Sequence, residues 1–321
     1  MATSQAAGKV TIPHLHAMRS RGEVITMVTA YDYPSAKFAD AAGIEIVLVG
    51  DSLAMAMLGH PNTLSVTMDE MLIFTRAVSR ACTRAMVIGD MPYGSYTVGE
   101  EDAVRNALRF MKEAGADAVK LEGGVGVAPV VRRLVRAGIP VMGHIGLTPQ
   151  SLAVLGGFRV QGRSAAGARQ LLQDARALEE AGTFAVVVEA VPALVGTALT
   201  AALSVPTLGI GAGPQCSGQV LIWHDLFGLY HGHTPKFARR YGEAGRVFAE
   251  GLAAYAADVR AGRFPTDDYT YGVPEAERAA IERVLAEFQP DGAARSVRDG
   301  PARSPTTTVN DTEGSRSSRT P

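Results

Sequence analysis

Hydrophobic positions along the chain fall into two alternating patterns, short continuous runs and longer stripes at helical spacing. Eight runs read as strands: ITMVTAY (25–31), EIVLVGD (45–51), AMVIGDMP (85–92), AVKLEGG (118–124), PVMGHIGL (140–147), FAVVVEAVP (184–192), PTLGIGAG (206–213) and VLIWHDLFG (220–228). They are unbroken rather than alternating apolar and polar, the pattern of strands covered on both faces. Helical stretches lie between most of them. PSAKFADAAG follows the first run, MDEMLIFTRAVSRA the second and EDAVRNALRFMKEAGA the third. In the last of these Ala103, Ala107 and Phe110 share one stripe, with acidic residues in the first turn. SAAGARQLLQDARALEEAG precedes the sixth run and closes at Gly182, a C-cap glycine.

Eight strands with intervening helices predict an α/β fold, a (β/α)8 TIM barrel, over residues 23–290. A doubly wound open sheet has the same strand count and stays open as an alternative. Residues 1–22 read as a segment leading into the barrel. The helical pattern PKFARRYGEAGRVFAEGLAAYAADVR, after residue 235, would complete the barrel and supply an outer or oligomer-facing layer. Residues 291–321 are polar, rich in Pro, Ser and Thr and nearly free of large apolar side chains, and read as a disordered tail.

Composition narrows the function classes. The chain has 321 residues, 47% of them apolar, enough for one large core. Its formal charge of −1, with no strongly basic half, argues against a phosphate-neutralising nucleic-acid surface. The two cysteines, Cys82 and Cys216, imply neither a disulfide framework nor a cysteine metal cluster and fit a reducing cytoplasm. No apolar stretch approaches the roughly 20 residues that cross a bilayer, and the N-terminal sequence lacks the apolar core of a signal peptide.

Polar residues fall where the strand pattern ends. Asp51, Asp90, Glu122, His144 and Glu189 each sit at or near the C-terminal end of a different predicted strand. Any one of them alone reads as a helix cap or a satisfied core group. In a barrel, however, those ends converge on one mouth, where catalytic side chains gather. Asp51, Asp90 and Glu122 are 39 and 32 residues apart, about one βα repeat each, so three carboxylates should be neighbours on the rim. Such a cluster repels itself unless a cation sits within it, and an all-oxygen set favours Mg²⁺ over zinc. Lys120 lies two residues before Glu122 and so faces the same way. It would either pair with the carboxylates or hold an anionic substrate. Glu189, walled by valines, is placed for desolvation, as a general base near neutrality requires. A metal beside a strand-mounted base is the arrangement for removing a proton next to a carbonyl. The glycine-rich GIGAGPQCSG lacks the following helix that would present a phosphate site. Its glycines read instead as room for a ligand at the mouth of strand seven.

With these residues in view, the chain resembles the ketopantoate hydroxymethyltransferase family over about residues 11–265. The stretches that carry the likeness are TAYDYPSAKFADAAGIEIVLVGDSLAM, LSVTMDEM, DMPYGSY, VKLEGG, GIPVMGHIGLTPQS, ALEEAGTFAVVVEAVPA and TLGIGAGPQCSGQVLIWHDLFGL. The resemblance implies a (β/α)8 barrel of the phosphoenolpyruvate/pyruvate-like superfamily. It also implies transfer of a hydroxymethyl group from 5,10-methylenetetrahydrofolate to 3-methyl-2-oxobutanoate (α-ketoisovalerate), giving ketopantoate for pantothenate and coenzyme A synthesis. By the same resemblance Asp51, Asp90 and Glu122 associate with one Mg²⁺ per subunit, and Ser52 contacts the substrate carboxylate. Lys120 binds substrate, Glu189 accepts the proton, and His144 lines the site; Asp51 and Asp90 also face the substrate. A homo-oligomer, commonly a decamer, is implied as well. Two departures, Tyr93 where the family usually has Phe and His60 where Tyr is common, adjoin the mouth on the folate side. A Mg²⁺-dependent 2-oxoacid lyase or mutase of the same superfamily is the alternative enzyme, although the KKCGH-like cysteine loop of the lyases is missing. A non-catalytic metabolite-binding barrel would have no need of Glu189.

Overall fold

The computed structural model describes residues 8–288 apart from His231 and His233; the tail expected over 291–321 lies outside the described residues. Eight parallel strands close into a barrel in chain order: β1 Ile25–Thr29, β2 Ile46–Val49, β3 Met86–Asp90, β4 Ala118–Glu122, β5 Val141–Gly146, β6 Ala185–Glu189, β7 Thr207–Ile210 and β8 Gly218–Leu221. An open sheet has two edge strands with one neighbour each. Here every strand has two and the first pairs with the last, with Met27 opposite Ile46 on β2 and Ile25 opposite Gly218 on β8.

The helices among the described residues are α1 Ile12–Ser20, α2 Tyr33–Ala41, α3 Leu53–Ala56, α4 Met68–Ala81, α5 Glu100–Lys112 and α6 Ala128–Arg136. After these come α7 Leu152–Leu155, α8 Ala165–Ala181, α9 Ala193–Ala202, α10 Trp223–Leu226, α11 Ala244–Arg260 and α12 Glu275–Glu287. Local chemistry starts the long ones. Asp32 and Ser35 cap α2 reciprocally, as Thr67 and Glu70 cap α4, and Gly182 ends α8 in a left-handed turn.

Strand alternation sorts the apolar residues into two layers. Val47, Val87, Val119, Val141 and Val186 face outward and pack against the helices. Met27, Ile46, Ile88, Met142, Val187 and Leu208 belong to an inner cluster, which Leu15 and Met18 of α1 also join. The inward positions of β3 to β6 then run upward into polar residues: Asp90 above Ile88, Lys120 and Glu122 above Ala118, His144 above Met142, Glu189 above Val187. A site at the C-terminal mouth is therefore the continuation of the core's own periodicity.

The segment leading into the barrel carries a helix, α1, packed with the inner cluster. Two expectations change. The eighth strand is Gly218–Leu221, not 220–228; the apolar run divides, and Trp223–Leu226 turns helical, with the Trp223 N–H donating to Thr29 Oγ1 at 3.0 Å. Gly218 must enter the strand because a Cβ there would come 2.4 Å from the Ile25 carbonyl oxygen. The last predicted helix begins at Ala244 rather than 235, because the chain folds back so that the Tyr241 N–H donates to the Leu226 carbonyl at 2.8 Å.

The chain divides into two compact units, residues 1–247 and 248–321. In the described part of the second, Phe264 sits between the rings of Tyr255 and Tyr269, with centroids 5.8 and 5.4 Å away.

Candidate active site

A pocket of about 710 Å³, open mouth included, lies at the C-terminal end of the barrel and is lined by all seven residues singled out in the sequence: Asp51, Ser52, Asp90, Lys120, Glu122, His144 and Glu189. Leu48, Val187, Ile210, Phe158 and Phe237 supply apolar walls. Asp90, Lys120, Glu122 and His144 are each at most 4% exposed.

These side chains form one connected set. Lys120 Nζ is 2.7 Å from Asp90 Oδ1 and 3.8 Å from Glu122 Oε1, so the lysine does pair with the carboxylates. The Asp51 N–H donates to Asp90 Oδ2 at 3.1 Å. His144 lies between two acids, its Nδ1 3.3 Å from Glu122 Oε1 and its Nε2 3.1 Å from Glu189 Oε2. Neither N–H points straight at its carboxylate, so these contacts are ionic rather than linear hydrogen bonds. Glu189 is the more open member, its side chain 15% exposed. Its neighbour is a charged ring, where the sequence suggested only valines.

Burial and mutual repulsion set the protonation states. Burial, then Asp90 and Glu122, push the Asp51 carboxyl well above the usual carboxylate range, against Lys120 and the Gln150 amide. Burial also raises Asp90, which Lys120 offsets only in part. Burial would raise Glu122, but His144, Lys120 and the Gln150 N–H outweigh it and hold that carboxyl below its ordinary value. Burial and Lys120 oppose a proton on His144, yet the two flanking carboxylates raise it to about 9, so the ring is an imidazolium at neutral pH. Burial disfavours the Lys120 charge, and Asp90, Glu122 and Asp51 more than restore it.

Counted as ionised, the four carboxylates exceed Lys120 and His144 by two negative charges. That imbalance, on an all-oxygen donor set, fits a hard divalent cation. Asp51 and Asp90, adjacent and both with raised pKa values, are the part of the set that would hold it. Glu122 is already engaged by Lys120, His144 and Gln150, and among the described residues no three Asp, Glu, His or Cys side chains converge as a ready ligand cage.

Several participants escaped the sequence reading. Gln150, buried in the turn after β5, donates its Nε2–H to Asp51 Oδ2 at 2.9 Å and to the Met91 carbonyl at 3.0 Å. Its backbone N–H donates to Glu122 Oε2 at 3.0 Å, and its Oε1 accepts from Tyr96 Oη at 2.6 Å. One side chain thus ties two of the carboxylates together, and both ends of its amide are fixed. Gln150→Leu is expected to lower kcat in the transfer assay about 10- to 100-fold, as loss of an orienting partner does; a variant with unaltered kcat would remove Gln150 from that role. A second relay runs from Thr29 Oγ1 to Tyr31 Oη at 2.9 Å and on to Ser52 Oγ at 2.8 Å. With Tyr31 donating, Ser52 keeps its own proton free for the pocket. The LTPQS stretch after strand five held the only sequence signal for Gln150, a polar side chain just beyond a strand end.

In the glycine-rich stretch after β7, Gly211 meets a residue of the pocket wall rather than open space. A Cβ on Gly211, which has φ +65°, would come 2.6 Å from Phe237 Cδ1, so the glycine admits a neighbouring ring.

Fold and pocket together define a (β/α)8 barrel with a connected, buried set of charged side chains at its C-terminal mouth. Solved structures of this fold superpose on the chain. A phosphonopyruvate hydrolase in complex with oxalate and Mg²⁺ aligns with a TM-score of 0.53 at 17% identity, over 86% of this chain and 96% of that one. A 2,3-dimethylmalate lyase of the phosphoenolpyruvate mutase/isocitrate lyase superfamily gives 0.52 at 16% identity, over 86% and 98%. The chain belongs to the ketopantoate hydroxymethyltransferase family, whose model matches residues 9–267. A relative named 3-methyl-2-oxobutanoate hydroxymethyltransferase, from Moorella thermoacetica, is 56% identical over 263 residues, 82% of this chain and 98% of its own length. Proteins of the same name from Chloroflexus aurantiacus and Heliobacterium modesticaldum are 54% and 51% identical, over 85% and 84% of this chain and 96% and 98% of their own.

Proposed function

We propose that the protein transfers a hydroxymethyl group from 5,10-methylenetetrahydrofolate to 3-methyl-2-oxobutanoate, releasing ketopantoate and tetrahydrofolate. The observation that carries this is a carboxylate base, Glu189, held beside an imidazolium in the same mouth as the acidic pair Asp51 and Asp90. The substrate carboxylate and keto oxygen would meet the Ser52 hydroxyl and the Lys120 ammonium, which has three N–H donors and two carboxylate neighbours. A Mg²⁺ ion held by Asp51 and Asp90, with Glu122 behind them, would polarise the keto carbonyl.

Glu189 removes the proton from the branched carbon next to the carbonyl. His144 stands between Glu122 and Glu189 and screens their repulsion, keeping the base aimed into the pocket. The resulting enolate carbon bonds to the methylene carbon of the ring-opened folate iminium. Addition of water and loss of the folate nitrogen leave the hydroxymethyl group on carbon. This reading carries with it a cytoplasmic enzyme and a homo-oligomer. Among the described residues no helix is long and apolar enough to cross a membrane, and Phe248, Leu252 and Tyr255 stand exposed on α11.

Incubating purified protein with 3-methyl-2-oxobutanoate, 5,10-methylenetetrahydrofolate and MgCl₂ should yield ketopantoate and tetrahydrofolate in equal amounts. Cleavage or isomerisation of a 2-oxoacid without any folate requirement would favour a lyase or mutase instead.

A further inference from the structure

A second cavity, of about 370 Å³ with its opening, lies beside the first; Ser52, Met55 and Ile222 line both. Its own walls come from Ala56 of α3, His224 and Asp225 of α10, and Tyr230 and Pro235 beyond. Two polar groups line it. Asp225 is only 7% exposed, and the Arg240 charge offsets only in part the rise that burial gives its carboxyl. His224 Nδ1 is buried without a hydrogen bond, its ring 5.4 Å from that of Tyr31. A buried imidazole nitrogen left unpaired is costly. Beside a largely buried carboxylate on the same cavity, it points to a ligand that supplies hydrogen bonds to both.

The chemistry of that ligand follows from the acceptors. A carboxylate, with its two oxygens, matches a planar edge carrying two adjacent N–H donors. The 2-amino-4-oxo ring of a reduced pterin presents such an edge, N3–H beside the 2-amino group. The position agrees as well, since a donor whose methylene must reach the branched carbon of the ketoacid has to lie against that pocket. The shared rim of Ser52, Met55 and Ile222 is where the two cavities meet. We propose that this cavity is the pterin subsite of the one-carbon donor, with Asp225 accepting from N3–H and the 2-amino group. His224 meets the remaining polar edge of the ring. The inference rests on the folate-dependent reading above and adds to it a location and a recognition residue.

Calorimetric titration of the full chain in MgCl₂ tests it, with tetrahydrofolate and 3-methyl-2-oxobutanoate as separate titrants. Asp225→Asn turns one of the two acceptors into a donor and should weaken tetrahydrofolate binding about tenfold or more, the usual loss for a hydrogen bond to a charged group. The ketoacid Kd measured on the same sample should move less than about twofold, which also reports an intact barrel. Ala56→Phe fills the cavity without touching Asp225 and should give the same pattern. A tetrahydropterin lacking the aminobenzoylglutamate tail should compete with tetrahydrofolate on the wild-type protein. Unchanged tetrahydrofolate affinity in both variants would overturn the subsite while leaving the reaction standing. So would competition by aminobenzoylglutamate but not by the pterin. A wild-type protein that binds no tetrahydrofolate would instead overturn the folate-dependent reading itself.

Discussion

Replacing Glu189 by glutamine is expected to slow exchange of the branched-carbon proton of 3-methyl-2-oxobutanoate with solvent deuterium by about 10²- to 10⁴-fold, the range spanned by general-base catalysis. The amide fills the same volume and keeps an oxygen near His144 Nε2, but it cannot take a proton. Ketoacid binding, measured separately by calorimetry in MgCl₂, should persist, because Ser52, Lys120 and the Asp51–Asp90 pair are untouched. One secondary effect follows from the geometry. His144 owes its raised pKa of about 9 to two flanking carboxylates, and the variant removes one of them. The imidazolium should therefore lose its proton at lower pH in the variant, which NMR titration of the ring would follow. Full deuterium exchange by Glu189→Gln would eliminate this residue as the base and direct attention to another group in the mouth.

Replacing Lys120 by methionine should destabilise the protein more than any other single change in the site. Methionine fills much the same space, but Asp90, Glu122 and Asp51 would then share a buried wall without the ammonium that faces them. Breaking a buried ion pair from one side costs about 3–5 kcal/mol, large against total stabilities of roughly 5–15 kcal/mol. The sign of the pH dependence distinguishes this from a simple packing defect. Asp51 and Asp90 already have raised pKa values, and loss of Lys120 raises them further. A carboxyl whose folded value lies above its unfolded one binds its proton more tightly in the native state. It therefore adds stability as pH falls through that range. The difference in Tm between Lys120→Met and wild type should narrow from pH 8 to pH 5. A gap that stays constant would mean that the ammonium is not the counter-charge of the cluster. Ketoacid affinity should fall in the same variant, since one anion-holding donor is lost.

Much of the barrel was legible because its strands are unbroken apolar runs and its helices carry their own start and stop residues. The Thr67–Glu70 cap and the Gly182 terminus mark α4 and α8 within the sequence itself. The end of the eighth strand was misjudged because Val220 to Trp223 runs apolar straight through the strand end at Leu221. Only pairing of Gly218 with Ile25 on a neighbour nearly 200 residues away sets where it begins. The acids and Lys120 could be found from chain position, since strand ends recur at each βα repeat. Gln150, Tyr31 and Tyr96 could not, because nothing local distinguishes a polar side chain in a turn from one that braces a carboxylate. Asp225 looked like part of a strand, and only its place beside the buried His224 nitrogen on the second cavity makes it notable.

The sequence by itself determined the alternation of eight strands with helices, the face on which each strand residue stands and the identity of the charged groups at the strand ends. These depend on periodicities of two and 3.6 residues, which short-range sterics impose on any chain. Closure into a barrel came from the tertiary pairing of β1 with β8. The tertiary structure decided which charges neutralise which: Lys120 against Asp90, His144 between Glu122 and Glu189, Gln150 across Asp51 and Glu122. Those pairings fall off steeply with distance and with exposure to water, so they exist only once closure brings separate strands within a few ångströms of one another and excludes solvent.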